Sequence, residues 1–428
     1  MKKVLIISYC FPPRGGVGGL RIQGLAKYLP EFGWEPIILT PKLPESPNTK
    51  FRIIQTPYRD VIDYLVKAAR FKPEKGVKSQ IKKKLGVSSH KNKRTFVDSI
   101  LIFLQEIIAY PDLQKGWYQY AVKAGSKLPQ QEKIDAVISS SSPVTCHLIA
   151  KELKMKYKVP WIADLRDLWT QNHYYPYGPI RKVVERRLEI KTLSKADALV
   201  TVSKNLAKTL EMLHKGRQVY SIPNGFDPDE VATSVNLTNK FTITHTGSLY
   251  QGKRDPAKLF KVLQDLISER KLDLNEIEVR FYGPPEDWLE NDIKSYGLED
   301  IVKVYGVVPR EIALDKQRES QVLLLLLWDH PKEIGVYTGK IFEYLAAQRP
   351  ILAIGGPKGV VKELLAETNA GVYATSIEDV KKALEKFYGE YKLKGKVEYK
   401  GERAKIDKYS QREMARKFAE VLDTLTRR

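Results

Sequence analysis

The sequence predicts an α/β fold with two doubly wound, Rossmann-like domains, each built on a parallel sheet. Over most of the 428 residues, short apolar runs alternate with stretches of helical periodicity. That alternation is typical of parallel strands buried between helices. The length suits two domains of ordinary size, and a composition of 43% hydrophobic and 29% charged residues excludes a disordered or collagen-like chain.

The strands of both domains are predicted from these apolar runs. In the first domain they are 4–8, 36–40, 136–139, 161–163 and 198–202. In the second domain they are 241–246, 278–282, 303–307, 322–327, 351–354 and 371–373. Ligands of open parallel sheets bind beyond the carboxyl ends of the strands, so the loops that follow these runs hold the candidate site residues.

The boundary between the domains is predicted at 221–239, which is rich in turn formers and poor in apolar periodicity. The first domain would then span 1–220 and the second 221–408. The terminal helix within 409–428 could pack on either domain, with the first as the preferred assignment. A hinge at the boundary would place a cleft between the two sheets.

A basic insertion, 70–95, interrupts the α/β rhythm. The 72 Lys+Arg against 51 Asp+Glu give the chain a net charge of +21, and this insertion concentrates part of the surplus. Apolar residues at helical spacing follow it up to 108. Together, 70–108 could attach to an anionic membrane surface. The alternative is a solvated insertion whose helix packs on the domain.

Several features point to the cytoplasm, with peripheral attachment to the inner face of the membrane as an option. Cys10 and Cys146 are the only cysteines and lie in apolar surroundings, which favours a reducing compartment and excludes a cysteine-based metal site. The apolar run at 4–7 is too short for a signal peptide. The aliphatic run at 322–327 is far below the roughly 20 residues that cross a bilayer.

A Gly-rich loop follows the first predicted strand. Gly15, Gly16, Gly18 and Gly19 precede a helical pattern over 22–29. Such a turn lets backbone amides and a helix N-terminus approach phosphate, although a loop that merely turns tightly remains an alternative. Arg21 occupies the third glycine position of a dinucleotide fingerprint, and no acidic residue ends the second strand, so a nicotinamide enzyme is disfavoured.

A second candidate site lies at 337–347, which is predicted as a loop entering a helix. The glycines at 335 and 339 have the wrong spacing for a P-loop, and Ile341 replaces its Ser or Thr. Lys340 and Glu343 lie one turn apart on the same helix face. They could form an ordinary ion pair, or the helix start could hold phosphate oxygens while Glu343 accepts hydrogen bonds from sugar hydroxyls.

The segment TGKIFEYLA, 338–346, resembles the nucleotide-sugar signature of glycosyltransferase family 4, whose members have the GT-B fold. Pro111 and Asp112, with the Gly-Trp pair at 116–117, fit one branch of that family. The other motifs occur in the order of the family, and they are the Gly-rich loop and segments 140–143, 161–169, 222–227, 245–256 and 282–284. The resemblance covers most of the chain apart from the basic insertion.

The resemblance implies a retaining, hexosyltransferase-type enzyme that moves a sugar from a nucleoside diphosphate to a glycan, lipid or protein-linked acceptor in polysaccharide or glycoconjugate biosynthesis. The first domain would face the acceptor and the second would bind the donor. The implied donor-binding residues are Gly15, Gly16, Gly247, Lys253, Arg254, Gly283, Val308, Thr338, Gly339, Lys340 and Glu343. Among them, Lys253 and Arg254 are also implied as catalytic residues that neutralise the leaving diphosphate.

Further candidates lie after the fourth strand of the first domain. Asp164 and Arg166 are candidate catalytic residues, and Asp167 is a candidate contact for acceptor or sugar. The alternative for this cluster is an internal salt bridge that shapes the loop. His147 is a second candidate contact, although a packed helical histidine is an equal alternative.

The sequence departs from the family pattern at Gly335. Many members have a glutamate there, with seven residues between it and the position of Glu343, and its absence leaves the donor sugar unspecified. The acidic pair at 227 and 229 is interpreted as a turn in the interdomain linker, and neither a metal nor a cofactor is expected.

Two alternative functions remain open. A nucleotide-sugar epimerase with the same architecture would bind the same donor. A polyanion- or nucleic-acid-binding protein would explain the charge of +21, but the sequence has no nucleic-acid-binding motif, so no specific nucleic acid is expected. The base, acceptor, linkage and oligomeric state are not specified by the sequence.

Overall fold

The computed structural model describes residues 1–45, 51–60, 106–130, 132–231, 236–250 and 252–427. These residues form two compact units, which are Met1–Ile222 with Ala415–Arg428 (unit 1) and Pro223–Met414 (unit 2). The basic insertion at 70–95 and most of the apolar helical pattern after it lie outside the described residues.

Unit 1 contains a seven-stranded parallel sheet with the order β3-β2-β1-β4-β5-β6-β7. Its strands are β1 (Lys2–Ser8), β2 (Trp34–Pro41), β3 (Arg52–Thr56), β4 (Ala136–Ser141), β5 (Trp161–Leu165), β6 (Ala198–Thr201) and β7 (Gln218–Ser221). The central strands are buried aliphatic runs because helices cover both faces of the sheet.

The helices of unit 1 follow its strands in the βαβ manner. They are α1 (Gly16–Tyr28), α2 (Tyr118–Gly125), α3 (Thr145–Tyr157), α4 (Pro179–Leu193) and α5 (Lys204–Leu213). The C-terminal helix, Gln411–Thr426, belongs to this unit from Ala415 onward. Its Asp423 accepts hydrogen bonds from Lys2 Nζ at 3.0 Å and from Trp34 Nε1 at 3.2 Å, which fixes the helix against β1 and β2.

Unit 2 contains a six-stranded parallel sheet with the order β10-β9-β8-β11-β12-β13. Its strands are β8 (Phe241–Thr246), β9 (Ile277–Tyr282), β10 (Val302–Gly306), β11 (Val322–Leu326), β12 (Ile351–Ile354) and β13 (Gly371–Ala374). Its helices are α6 (Ala257–Ser268), α7 (Asp287–Ser295), α8 (Arg310–Arg318), α9 (Gly339–Ala347), α10 (Val360–Thr368), α11 (Ile377–Lys394) and α12 (Arg403–Ile406).

The two parallel sheets between helices confirm the predicted fold class, and every predicted strand is present. Two further strands, β3 and β7, had no prediction. They are the two edge strands of the unit 1 sheet and are only partly buried, so neither has the continuous apolar run of a central strand. Helix α1 begins at Gly16, well before the predicted position 22, because Gly15 takes a left-handed conformation with φ of 107°.

None of the helices in the described part of the chain is long and apolar enough to cross a membrane.

Candidate functional site

At the carboxyl edge of the unit 1 sheet, three polar residues lie side by side on neighbouring strands. Ser8 of β1 pairs with Ser140 of β4, and Ser140 pairs with Asp164 of β5. Asp164 is fully buried, and it accepts hydrogen bonds from Ser140 Oγ at 2.7 Å and from Arg21 Nε and Nη2 at 3.0 and 2.9 Å. Asp164 therefore forms a buried salt bridge with Arg21 of α1, outside its own loop, and its catalytic role stays a prediction.

Arg21 is central to this cluster. In the sequence it stood out only because it replaces the third glycine of a dinucleotide fingerprint. Its side chain extends from α1 and is fully buried. Besides the two bonds to Asp164, Nη2 donates to the carbonyl oxygen of Ile222 at 3.0 Å. The guanidinium also lies 5.2 Å from the ring centroid of Phe418 in the C-terminal helix. Arg21 thus joins α1, β5 and the C-terminal helix.

Arg166 lies across the first turn of α1. It donates from Nε to Ser140 Oγ at 3.1 Å and from Nη2 to the carbonyl oxygen of Ser142 at 3.2 Å. A Cβ atom at Gly18 would come within 2.0 Å of Arg166 Nη1, so this glycine leaves room for the guanidinium. The Gly-rich loop and Arg166 are therefore neighbours, whereas Asp167 is exposed.

Gly15 and Gly16 both adopt positive φ, of 107° and 47°. A Cβ atom at Gly15 would lie 2.6 Å from the Cβ atom of Cys10, whereas the space beside Gly16 is open. The loop therefore packs tightly at Gly15 and leaves its backbone accessible at Gly16. Their contact with a donor stays a prediction.

His147 is fully buried one turn into α3. Its Nδ1 atom is 2.7 Å from Ser139 Oγ, which also accepts a hydrogen bond from Trp161 Nε1 at 2.8 Å. The imidazole lies 6.4 and 6.5 Å from the rings of Trp161 and Trp169. Burial lowers the pKa of His147 to about 4. These contacts are those of a packed neutral histidine, and its contact with acceptor or sugar stays a prediction.

Asp112 caps α3 from outside the helix. Its Oδ2 atom accepts from Thr145 N and its Oδ1 from Thr145 Oγ1, both at 2.7 Å. Oδ1 also accepts from Gln114 N at 2.9 Å, and burial raises the pKa of the carboxyl group. The carboxylate therefore satisfies two amides that have no helical partner.

Replacing Asp112 by alanine is expected to lower the free energy of unfolding of unit 1 by about 1–3 kcal/mol, because buried amide donors lose their acceptor. Urea unfolding followed by tryptophan fluorescence measures this. Asp112→Asn retains an acceptor oxygen and is the matched control, with a smaller expected loss. Equal stability of Asp112→Ala and the parent would contradict the capping role.

In unit 2, glycines end the three neighbouring strands β8, β9 and β10. Gly247 N donates to Tyr282 O at 2.6 Å, and Gly283 N donates to Gly306 O at 2.9 Å. Gly247 has φ of 117°, and a Cβ atom at Gly283 would lie 2.2 Å from Gly247 O. The strand ends therefore approach so closely that side chains are excluded.

Lys340 and Glu343 form an ion pair at the start of α9, with Nζ and Oε2 3.1 Å apart, which is one of the two interpretations of the sequence, and a sugar contact of Glu343 stays a prediction. A Cβ atom at Gly247 would lie 2.6 Å from Lys340 Cε, so the lysine side chain crosses the β8 turn. Gln317 Nε2 lies 3.5 Å from the same Glu343 oxygen and donates to Thr246 Oγ1 at 2.9 Å. The structure thus brings together the candidates from the β8 turn and α9.

Thr338 is the N-cap residue of α9, and Gly339 is the first helical residue. Thr338 is buried, and its hydroxyl has no hydrogen-bond partner among the described residues. Tyr344 of the same helix accepts from Thr246 N at 3.1 Å and donates to Leu324 O at 3.2 Å. These bonds hold the helix start beside the ends of β8 and β11, where its amides can meet an anion.

Lys253 and Arg254 follow the β8 turn. The Lys253 ammonium lies 4.6 Å from the ring centroid of Trp328, and Trp328 stacks on His330 at 4.5 Å. Arg254 lies over the Tyr250 ring at 4.5 Å. Val308 is half-buried and immediately precedes Pro309, the N-cap residue of α8.

Sequence reasoning missed Gln317, Tyr344, Trp328 and His330 as members of this region. Gln317 is a buried polar residue on an otherwise ordinary helix, so no local pattern distinguishes it, whereas Tyr344 lies within the segment 338–346, which was the available signal. Trp328 and His330 follow the most apolar run of the chain, and that position after a strand was the available signal.

His245, near the end of β8, resembles His147 because burial lowers the pKa of both imidazoles. It is buried, its Nδ1 atom is 3.0 Å from Leu324 O, and burial lowers its pKa to about 4. An unfolded histidine titrates near 6.5. The unfolded state therefore binds more protons below that pH, and the stabilisation is complete above about pH 6.5 and is lost progressively as the pH falls toward 4.

Between about pH 7.5 and about pH 5, each buried histidine is expected to reduce the free energy of unfolding of its own unit by about 2 kcal/mol. Urea unfolding at the two pH values measures the loss. His147→Gln should flatten the pH dependence of unit 1 and His245→Gln that of unit 2. An unchanged pH dependence in both variants would show that other groups cause it.

Over the described ranges, no three His, Cys, Asp or Glu side chains gather in a way that could hold a metal ion. The expectation of a metal-independent protein stays a prediction.

Residues 98–230 match the family model described as Glycosyltransferase Family 4. No curated protein sequence matches the chain. The motif-based resemblance to glycosyltransferase family 4 is confirmed, and the sequence of 98–230 carries the match.

Three solved structures with a similar fold are each 13% identical to the chain. Sucrose-phosphate synthase (tll1590) from Thermosynechococcus elongatus has a TM-score of 0.61, with 99% of each chain covered. Anabaena Alr3699/HepE in complex with UDP and glucose has a TM-score of 0.60, with 99% of this chain and 100% of that chain covered. The apo form of the lipopolysaccharide outer core galactosyltransferase WaaB has a TM-score of 0.57, with 99% of each chain covered. The GT-B fold expected from the motifs is confirmed.

Proposed function

We propose, from the premise that this chain is a glycosyltransferase of family 4 with the GT-B fold, that it is a retaining enzyme. It would transfer a sugar from a nucleoside diphosphate to a glycan, lipid or protein-linked acceptor in polysaccharide or glycoconjugate biosynthesis. The observation that carries the proposal is the cluster of Gly247, Gly283, Thr338, Lys340 and Glu343 at the carboxyl edge of the unit 2 sheet.

This cluster has the chemistry that a nucleoside diphosphate requires. The start of α9 offers backbone amides and the buried Thr338 hydroxyl, which has no partner in the described structure. Lys340 adds a positive charge, and Gly247 and Gly283 allow close approach of the backbone. Glu343 would accept hydrogen bonds from ribose hydroxyls, and Lys340 lies beside its Oε2 atom at 3.1 Å.

Catalysis requires stabilisation of the negative charge that develops on the leaving diphosphate as the glycosidic bond breaks. Lys253 and Arg254 would supply that stabilisation, because both follow the β8 turn that Lys340 crosses. Val308 would lie near the base. The proposed reaction uses no metal ion, so transfer is expected to continue in the presence of EDTA.

The unit 1 candidates complete the proposal on the acceptor side. Arg166 lies beside Gly18 and could contact an anionic group approaching the Gly-rich loop. Gly16 presents its backbone next to open space. Asp164 and Arg166 are the candidate catalytic residues of this side, and Ser140 joins them, because its hydroxyl donates to Asp164 and accepts from Arg166 Nε.

Thermal unfolding in the presence of UDP, GDP, ADP, dTDP, NAD or a short DNA duplex tests the donor site, because a ligand that binds only the folded protein raises the melting temperature. UDP is the first candidate, since Anabaena Alr3699/HepE has been solved with UDP and with UDP-glucose. One nucleoside diphosphate should stabilise the parent but neither Glu343→Ala nor the Lys253→Ala/Arg254→Ala double variant.

Glu378→Ala is the matched control, because this glutamate is exposed on α11 in the same unit. It should respond to the nucleotide like the parent. Stabilisation by DNA alone, or equal responses in all variants, would contradict the donor site. Product analysis then separates transfer from epimerisation, because only transfer releases nucleoside diphosphate and lengthens an acceptor.

A further inference from the structure

Helix α4 of unit 1 has an inverted distribution of side chains. It buries three charged residues, Arg181, Glu185 and Glu189, at four-residue spacing. On its opposite side it exposes four aliphatic residues, Ile180, Val183, Val184 and Ile190, which are 74%, 54%, 44% and 41% exposed. Surface helices normally present the reverse pattern, with the apolar stripe facing the core.

The buried charges fix the rotation of α4. Arg181 Nε donates to Glu185 Oε1 at 2.5 Å, and Nη2 donates to the carbonyl oxygens of Ala109 and Pro111 at 2.9 and 3.1 Å. Glu189 accepts from Thr170 N at 3.1 Å. Rolling the helix to bury its aliphatic residues would break these bonds and leave buried ions unpaired, so the apolar side chains are held outward.

Cations lie among the exposed aliphatic residues. Lys182, Arg186, Arg187 and Lys191 are all exposed. The structure describes every residue of α4, and both of its acidic residues are buried. Besides Pro179, eight side chains of α4 are exposed, and we call them the outer face of α4: Ile180, Lys182, Val183, Val184, Arg186, Arg187, Ile190 and Lys191. This face is both apolar and positively charged.

We infer that the outer face of α4 lies on the anionic surface of a lipid bilayer. A helix that binds in the plane of a membrane combines aliphatic side chains, which enter the acyl boundary, with Lys and Arg, which extend to anionic headgroups. The 15 residues of α4 span roughly 22 Å, and the aliphatic residues extend over most of that length. Tyr174, which is 47% exposed just before α4, suits the headgroup region.

The alternation of the two residue types favours lipid over other polyanions. Protein surfaces that bind nucleic acid contact its phosphates with Lys and Arg, and exposed Ile and Val side chains add no favourable contact to that phosphate backbone. An acidic protein could satisfy the cations, but the convex outer face of a single helix offers it no groove. The inference is independent of glycosyl transfer and of the basic insertion at 70–95.

The test is co-sedimentation of the full chain with phosphatidylcholine vesicles, with and without phosphatidylglycerol. The parent should bind only the anionic vesicles. The apolar variant Ile180→Ser/Val183→Ser/Ile190→Ser should lose about tenfold in partition coefficient. The charge variant Lys182→Gln/Arg186→Gln/Arg187→Gln/Lys191→Gln should lose a similar factor and show a weaker dependence on salt.

Leu393→Ser is the matched control, because Leu393 is 86% exposed on α11 between Lys392 and Lys394. Its partition coefficient should equal that of the parent. Each variant is also compared with the parent after Lys82, Lys83 and Lys84 are replaced by Gln, so that binding by the insertion does not hide the effect. Melting temperatures and their response to UDP should be unchanged, which separates this test from that of the donor site.

Three outcomes would overturn the inference. The parent could fail to bind anionic vesicles, or the apolar and charge variants could bind like Leu393→Ser in both backgrounds. The third is a concentration-dependent dimer, or a DNA complex, that is lost in the apolar variant while vesicle binding is retained. That result would assign the outer face of α4 to a second copy of the chain or to nucleic acid.

Discussion

Replacement of Asp164 by alanine is expected to lower the free energy of unfolding of unit 1 by about 3–5 kcal/mol. Arg21 and Asp164 are both fully buried, and two hydrogen bonds join them. Removing the carboxylate leaves a guanidinium in the interior without its anionic partner, although the Ile222 carbonyl oxygen and the Phe418 ring stay in contact with it. Four of the six tryptophans belong to unit 1, so urea unfolding followed by fluorescence reports this loss.

A companion double variant separates the structural role of Asp164 from a catalytic one. Arg21→Met combined with Asp164→Leu removes both charges and is expected to recover most of the lost stability. If a catalytic carboxylate is needed, that double variant would fold but have no transferase activity. If Asp164→Ala instead unfolds like the parent and loses only activity, the buried ion pair is not the main role of this residue.

The sequence predicted the strands of the fold better than it predicted which side chains pair between elements. The central strands were recognisable because helices on both faces require continuous apolar runs, whereas β3 and β7 are only partly buried and have no such run. The Arg21–Asp164 pair joins residues 143 positions apart, and only the register of β1, β4 and β5 brings them together.

Contacts within one helix were more predictable than contacts between elements, for a local reason. Lys340 and Glu343 are one helical turn apart, so their pairing follows from helix geometry, and the structure confirms it. The approach of Gln317 to Glu343 depends on the packing of α8 beside α9. Side chains that support a site through tertiary packing leave no periodic signal, whereas glycines at strand ends do.

The largest effect on activity is expected from Gly283→Ala. The added Cβ atom would lie 2.2 Å from Gly247 O and 2.9 Å from the Gly247 carbonyl carbon. Both are backbone atoms, so the ends of β8 and β9 would have to move apart. The Gly247 turn would then shift relative to Lys340, which crosses it.

A displacement of this size at the turn proposed to bind phosphate is expected to lower kcat for transfer about a hundredfold and to cost about 1–3 kcal/mol of stability through overpacking. The nucleotide-dependent rise in melting temperature should shrink as well. Steady-state kinetics with the donor identified by thermal unfolding measures the first effect, and urea unfolding measures the second.

Gly389→Ala is the control for Gly283→Ala, because Gly389 is an exposed glycine of α11 with open space beside it. Alanine there should raise stability by about 0.5–1 kcal/mol, since it removes a flexible residue from a helix interior. Its kinetics should equal those of the parent. Parental kinetics in Gly283→Ala together with parental stability would mean that the strand ends can separate without cost, and the phosphate site would then have to lie elsewhere in unit 2. Parental kinetics with reduced stability would show instead that Gly283 matters for packing but not for transfer.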